Sequence, residues 1–174
     1  MIGVGDVAPP FALPAVGGGE ASLEALGDRP AVAVVFSCNH CPYVLAWEDR
    51  LNDIAREYAP RGLSVVAICA NDATKYPADS FPEMERHAAE KGFVFAYAQD
   101  QSQEVARAYG ATRTPEVFLL DGDRRLVYHG AIDDSRDPDA VRSPYLRDAL
   151  EALLDGGAAP VADTAPVGCT IKWR

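Results

Sequence analysis

The period of the apolar positions changes several times along the chain, and each change predicts an element. Ala31-Val32-Ala33-Val34-Val35-Phe36 is apolar on both faces, as a strand covered by helices on each side must be. From Cys41 to Ala59, Val44, Trp47, Leu51, Ile54 and Tyr58 recur at steps of three and four, the stripe of an amphipathic helix lying on a sheet. Gly62 closes that connection, and Leu63 to Ala70 is a second continuous apolar strand. Strand, helix and strand in succession predict a parallel βαβ unit. Ser80 and Glu83 stand at capping-box spacing before a helix over Phe81 to Lys91, with Pro82 in its permissive first turn and Gly92 as its stop. Phe93 to Ala98 reads as a short strand. Asp100 and Gln103 repeat the capping spacing ahead of a helix that ends at Tyr109-Gly110.

The second half changes character. Glu116 to Leu120 and Arg125 to Ala131 read as antiparallel strands joined through Asp121-Gly122-Asp123. Ser143-Pro144 opens a last helix, with Leu146, Ala149, Leu150, Leu153 and Leu154 on one face and Gly156-Gly157 as its end. Near the N-terminus, Phe11-Ala12-Leu13 and Ala21-Ser22-Leu23 flank Gly17-Gly18-Gly19, a β-hairpin leading into one helical turn at Leu23 to Leu26. The pattern predicts an α/β domain over residues 1–155 and a Pro/Ala/Gly-rich tail over 156–174 that carries Cys169. There is no internal repeat.

Composition narrows the class. With 48% hydrophobic and 24% charged residues, the 174-residue chain is an ordinary globular protein rather than a disordered one. A net charge of −10, with its few lysines scattered, argues against nucleic acid or an anionic membrane as partner. The N-terminus has no charged-then-apolar signal pattern, and the longest apolar run is too short to span a bilayer. The expected location is therefore the cytoplasm, where thiols are kept reduced and four cysteines are not a static disulfide framework.

Cys38-Asn39-His40-Cys41 falls where a buried strand gives way to a helix. Unpaired amides and the positive end of the helix dipole favour a thiolate there, the attacking form in disulfide exchange and peroxide reduction. Two cysteines separated by two residues can also bridge, so one resolves a mixed disulfide formed by the other. As imidazolium, His40 lowers a neighbouring thiol's pKa further. The competing reading of a lone CxxC is half of a zinc site, which needs a second ligand pair that the chain lacks.

Strand, CxxC at a helix start and a distant Thr114-Pro115 before an antiparallel pair resemble the thioredoxin fold. The resemblance implies a central mixed β-sheet flanked by helices, a cis proline at Pro115 lying against the cysteines, and Thr114 as a binding residue. The opening hairpin and the inserted Phe81–Lys91 helix resemble the redoxin (AhpC/TSA, peroxiredoxin-like) branch. Ser37-Cys38-Asn39-His40-Cys41-Pro42, Asn71-Asp72, Tyr109-Gly110-Ala111 and the terminal Gly168-Cys169-Thr170-Ile171-Lys172-Trp173 resemble a bacterial peroxiredoxin-like subgroup, and the match covers nearly the whole chain.

Two departures bear on chemistry. Peroxiredoxins place a Thr or Ser three residues before the peroxide-attacking cysteine and a Pro seven before it. Aligned on Cys41-Pro42, those positions hold Cys38 and Val34. From the thioredoxin side, the buried Asp that assists proton transfer would stand at Val32, leaving water or His40 as the helper. Thioredoxin resemblance makes Cys38 attack, whereas peroxiredoxin resemblance makes Cys41 attack; Cys38 is favoured as the cysteine expected to be accessible.

The remaining residues carry less. Cys169 is either a further resolving thiol, if the tail folds back, or part of an apolar strap in which Cys169, Ile171 and Trp173 alternate inward. Cys69 reads as core. His87 reads as a solvated helix residue, His129 as a strand residue without special role, and Glu48, Asp49 and Arg50 as an ordinary charged face. Trp47 and Trp173 read as packing. Arg113 is placed to overlook the cysteines, where it would stabilise a thiolate or a substrate carboxylate, or simply form a surface salt bridge.

The leading expectation is a thiol–disulfide oxidoreductase acting on protein or small-molecule disulfides, with electrons from a thioredoxin- or glutathione-type donor and no metal or organic cofactor. A thiol peroxidase is the alternative. A copper- or zinc-binding module built on Cys38, Cys41 and a histidine is a distant third.

Overall fold

The computed structural model describes residues 1–174. Its centre is a five-stranded mixed sheet in the order β5-β4-β3-β7-β8. The strands are β3 (Ala31–Ser37), β4 (Leu63–Cys69), β5 (Ala96–Gln99), β7 (Glu116–Asp121) and β8 (Leu126–Gly130). β4 runs parallel to β3 in the register Val34↔Val66, and β7 runs antiparallel on the other side, Val34↔Phe118. All seven residues of β3 are buried, which explains its lack of a polar face. A separate hairpin pairs β1 (Ala12–Pro14) with β2 (Glu20–Ser22). The expected thioredoxin-like architecture, with hairpin and inserted helix, is present.

The helices are α1 (Pro42–Tyr58), α2 (Phe81–Lys91), α3 (Glu104–Tyr109) and α4 (Tyr145–Leu154). The predicted stripe of α1 packs with Leu146, Ala149 and Leu150 of α4 on one sheet face, among Ala33, Val35 and Leu119. The opposite face buries Val32, Val34, Phe36 and Phe118 beneath the hairpin and Tyr109. No helix is long and apolar enough to cross a membrane.

Three local expectations need correction. Ser80 is the residue before α2 but makes no side-chain cap, and Glu83 completes no capping box, its carboxylate pairing forward with Arg86 at 2.6 Å. Gln103 likewise does not act as a capping partner: it takes a left-handed backbone, φ +66°, and donates its amide to Ala70 and Lys172 carbonyls. Asp100 still serves α3, accepting from the Ala106 amide at 2.9 Å. β5 starts at Ala96 rather than Phe93, since the Val94 amide is taken by the Asn52 side chain and not by a ladder partner.

The tail folds back across the domain. The Thr164 amide donates to the His129 carbonyl, and β9 (Cys169–Thr170) then pairs antiparallel with β6 (Arg113–Thr114) in the register Thr114↔Cys169. Ile171 is buried in the core under the hairpin, and Trp173 packs at its edge under Arg107. The inward alternation of a strap is therefore real, and it brings Cys169 to the cysteine pair.

Four surface readings also change. His87 is buried and 2.8 Å from Glu48, itself buried on α1. Arg50 reaches across to Asp133 at 2.6 Å, beside the Trp47 indole that donates to the same carboxylate. His129 is buried between Glu116 and Asp163, each at 2.8 Å. Apolar period cannot reveal such pairings, because each partner comes from a distant element.

Candidate active site

β3 ends at Ser37, and Cys38, Asn39 and His40 form a turn into α1, for which Cys41 is the N-cap residue and Pro42 the first helical residue. Proline suits that position: it lacks an amide hydrogen and its φ is already helical. The turn is pinned from the loop before α2. The Asn39 amide donates to Asp79 at 2.8 Å, its side chain donates to the Ala78 carbonyl at 2.9 Å, and Tyr97 donates its hydroxyl to Asn39 at 2.7 Å.

Thr114 lies against both sulfurs. Its hydroxyl is 3.7 Å from Cys38 Sγ, and its carbonyl is 3.5 Å from Cys41 Sγ. The Thr114–Pro115 bond is cis, as the resemblance implied. Glu116 secures this loop: one carboxylate oxygen accepts the Thr112 and Arg113 amides at 2.8 and 3.0 Å, and the other meets His129. Arg113 is exposed and donates to the Gly168 carbonyl at 3.1 Å, so its contact is with the strap rather than with a sulfur.

The two cysteines are driven apart electrostatically. The neighbouring Cys38 thiol holds the Cys41 thiol well below the ordinary range; burial opposes this, and the Cys169 thiol and the amides of Val44 and Cys169 reinforce it. The Val44 amide belongs to the first turn of α1, where such groups have no helical partner. Cys38 is pushed up, first by its hydrogen bond to Cys41, then by burial, then by the Asp79 carboxylate. Cys69 is fully buried and pushed up to about 12, chiefly by burial, which fits its reading as core.

Exposure does not separate the pair: Cys38 and Cys41 are each 2% exposed. The ground for favouring Cys38 as the accessible cysteine is thus absent. The strap, together with the Thr114–Pro115 loop, closes over both sulfurs, and Cys169 is only half-buried beside Cys41.

Asp79 has no signal in the sequence. It is 0% exposed, its carboxylate accepts from the Asn39 amide and from Asn71 at 2.9 Å, and His40 Nδ1 stands 3.0 Å from it. His40 is 41% exposed at its side chain. A ligand-type atom from each of Cys38, His40 and Asp79 lies within 4.8 Å of the others. His40 and Asp79 lie in contact, so the cluster is organised as a histidine–carboxylate pair beside a thiol.

The pattern of this site and its scaffold has a match. Residues 4–129 fit the AhpC/TSA family. The chain belongs to the AhpC/TSA family. Among solved structures, an uncharacterized conserved protein from Geobacillus kaustophilus is 41% identical, covering 100% of this chain and 94% of that one, with a TM-score of 0.94. A hypothetical protein from Sinorhizobium meliloti 1021 is 40% identical over 100% of this chain and 96% of that one, also at 0.94. Peroxidoxin BcpB from Mycobacterium tuberculosis shares the fold at 20% identity, covering 90% and 98%, with a TM-score of 0.65. No curated protein matches the chain. As an AhpC/TSA member the chain is a redoxin with a thioredoxin-like fold, a family of oxidoreductases.

Proposed function

We propose that the chain is a thiol–disulfide oxidoreductase that cycles Cys38 and Cys41 between dithiol and disulfide. The observation that carries this reading is the placing of Cys41 at the N-cap of α1, with Cys38 in the turn before it and Thr114 against both sulfurs. A thiolate held there attacks a disulfide at neutral pH, and the mixed disulfide that results lies beside Cys38. Cys41 is therefore the attacking sulfur and Cys38 the resolving one. Cys169 stands as a second resolving thiol against Cys41. Thr114 lines both sulfurs, and Pro115 shapes its approach. Protein or small-molecule disulfides are the substrates, and a thioredoxin- or glutathione-type donor restores the dithiol. The test is reduction of a small disulfide: Cys41→Ser loses turnover, and Cys38→Ser combined with Cys169→Ala accumulates a mixed disulfide on Cys41. Full activity in Cys41→Ser sinks the proposal.

The family match favours one second reading, a thiol peroxidase. Cys41 thiolate would attack a hydroperoxide, becoming a sulfenic acid that condenses with Cys38 or Cys169 and releases water. Stopped-flow consumption of hydrogen peroxide no faster than by free cysteine removes it.

A further inference from the structure

The resolving cysteine has a chemical difficulty that its surroundings must solve. Cys38 has to surrender a proton while it attacks, yet it is buried and stands next to an anion. Asp79 accepts hydrogen bonds from the Asn39 amide and the Asn71 side chain, His40 Nδ1 stands 3.0 Å away, and its charge weighs against a thiolate at Cys38. That anion disfavours a second negative charge on Cys38 unless the departing proton stays within the cluster. The half-exposed His40 ring, with Nδ1 3.0 Å from Asp79, is the group in the cluster that reaches water.

We infer that Asp79 is a positioning residue for the resolving step, orienting His40 so that the Asp79–His40 pair takes the Cys38 proton and passes it to solvent. The inference rests on the proposed order of attack, Cys41 first and Cys38 second. The step balances as follows. The Cys38 sulfur bonds to Cys41 Sγ as the bond from Cys41 to the substrate sulfur breaks. The substrate thiolate leaves with the electron pair of that bond, and the Cys38 proton moves to the Asp79–His40 pair. The dithiol is oxidised by two electrons and the substrate disulfide is reduced by two.

The geometry also answers the missing acid of the thioredoxin pattern. Val32 is wholly buried in the core, on β3, and offers nothing to a proton. Asp79 supplies a carboxylate from a different place in the chain, the short turn just ahead of α2. Asn39 and Asn71 fix it from the CxxC turn and from the end of β4. The other titratable groups in its field are Cys38 and His40 of the turn, Cys69 of β4 and Tyr97 of β5. Of these, His40 alone combines contact with Asp79 and access to water.

A chromophoric aromatic disulfide, dithiobis(nitrobenzoate), separates the two steps. One chromophore leaves when the mixed disulfide forms, and another when Cys38 resolves it. With Cys169→Ala as the background, so that Cys38 alone resolves, Asp79→Asn keeps the rate of the first release and slows the second by roughly 100-fold, the scale of a lost proton acceptor. The pH profile of the second release also changes, rising with hydroxide instead of levelling near neutrality. His40→Gln, at a half-exposed position that tolerates change, shows the same altered profile and serves if Asp79→Asn does not fold. A folded Asp79→Asn, or failing that His40→Gln, with unchanged second-step rate and profile overturns the inference. Equal slowing of both releases also overturns it, because it marks a merely structural role. Mass mapping of the trapped intermediate distinguishes the underlying reading: a chromophore on Cys38 sinks the order of attack itself, and this role with it.

Discussion

The two walls of the dithiol are opposites. On the Cys41 side stand mostly hydrogen-bond donors, the amides of Val44 and Cys169 and the thiols of Cys38 and Cys169, with the Thr114 carbonyl as an acceptor among them. On the Cys38 side stand a buried carboxylate, Asp79, and a buried thiol, Cys69, with the Thr114 hydroxyl as the one favourable contact outside the pair. Two identical residues three apart in sequence therefore carry opposite tendencies, one toward thiolate and the other toward thiol. The lesson is that position in a CxxC motif does not assign the nucleophile. The distribution of donors and acceptors around each sulfur does, and that is set by elements far away in the chain.

The largest test of this asymmetry is alkylation against pH. With iodoacetamide and mass mapping, Cys41 is expected to react at a rate that is flat across the neutral range, because it is already ionised there. Cys38 is expected to react more slowly, its rate rising into the alkaline range. The reverse ranking breaks the comparison outright. Cys41→Ser should then abolish the fast phase altogether, and Cys38→Ala should keep it with a raised pKa, since the first of the donors is gone.

A smaller effect sharpens the Cys41 wall. A Cβ on Gly168 would lie 2.0 Å from the Thr114 carbonyl oxygen, an overlap with backbone that only displacement of the strap relieves. Gly168→Ala should thus lift β9 from β6, opening access to both sulfurs while removing the Cys169 amide and thiol from Cys41. Its alkylation pKa should move up toward that of an ordinary thiol, and its limiting rate at alkaline pH should rise. Ile171→Ala, which empties a buried site under the hairpin, should cost about 2–5 kcal/mol in a denaturant titration and loosen the same segment. Cys169→Ala keeps the amide and loses only the thiol, so it should raise the Cys41 pKa less than Gly168→Ala does. Identical profiles for Gly168→Ala and the parent protein would show that the strap contributes nothing to Cys41.

Much of this scaffold is legible from apolar period. The stripe from Val44 to Tyr58 and the two continuous runs over 31–36 and 63–70 suffice for the βαβ unit, because burial on both faces leaves its mark in every residue of β3. The cysteine pair is placed by its position between the first buried run and the stripe, whereas Thr114 and Pro115 are placed by the resemblance to the thioredoxin fold. What escaped is the set of acids that meet the site or its loop. Asp79 sits in a turn with no periodicity, and Glu116 is one charged residue opening an otherwise apolar strand. Neither position announces burial, since burial there follows from partners at Asn39, His40, Asn71, Thr112 and His129 that converge only in three dimensions. A charge at the start of an apolar strand, directly after Pro115, was the one available hint for Glu116. Cys169 was half legible: the alternation of 169, 171 and 173 marks a strap, but nothing in it marks which strand edge the strap covers.

The smallest expected effect lies away from the sulfurs, where His129 joins the tail to the Thr114–Pro115 loop through Asp163 and Glu116. Burial alone would push this imidazole down, but hydrogen bonds to Glu116 and Asp163 outweigh it, and its pKa is raised above the usual histidine value. The sign follows from linkage. A raised folded-state pKa contributes stability that is fully present below about 6.5, the unfolded value, and is lost as pH rises through the folded one. The tie between tail and loop is therefore strongest in mildly acidic solution and weakens above neutrality. Thermal unfolding of the parent protein and of His129→Gln, measured side by side from pH 6 to 9, should show the gap between them narrowing by a few degrees as pH rises. Asp163→Asn should narrow the same gap while leaving Glu116 paired. A gap that widens with pH would mean that His129 is held neutral in the folded protein, and that the tail is fastened by β9 and Ile171 alone.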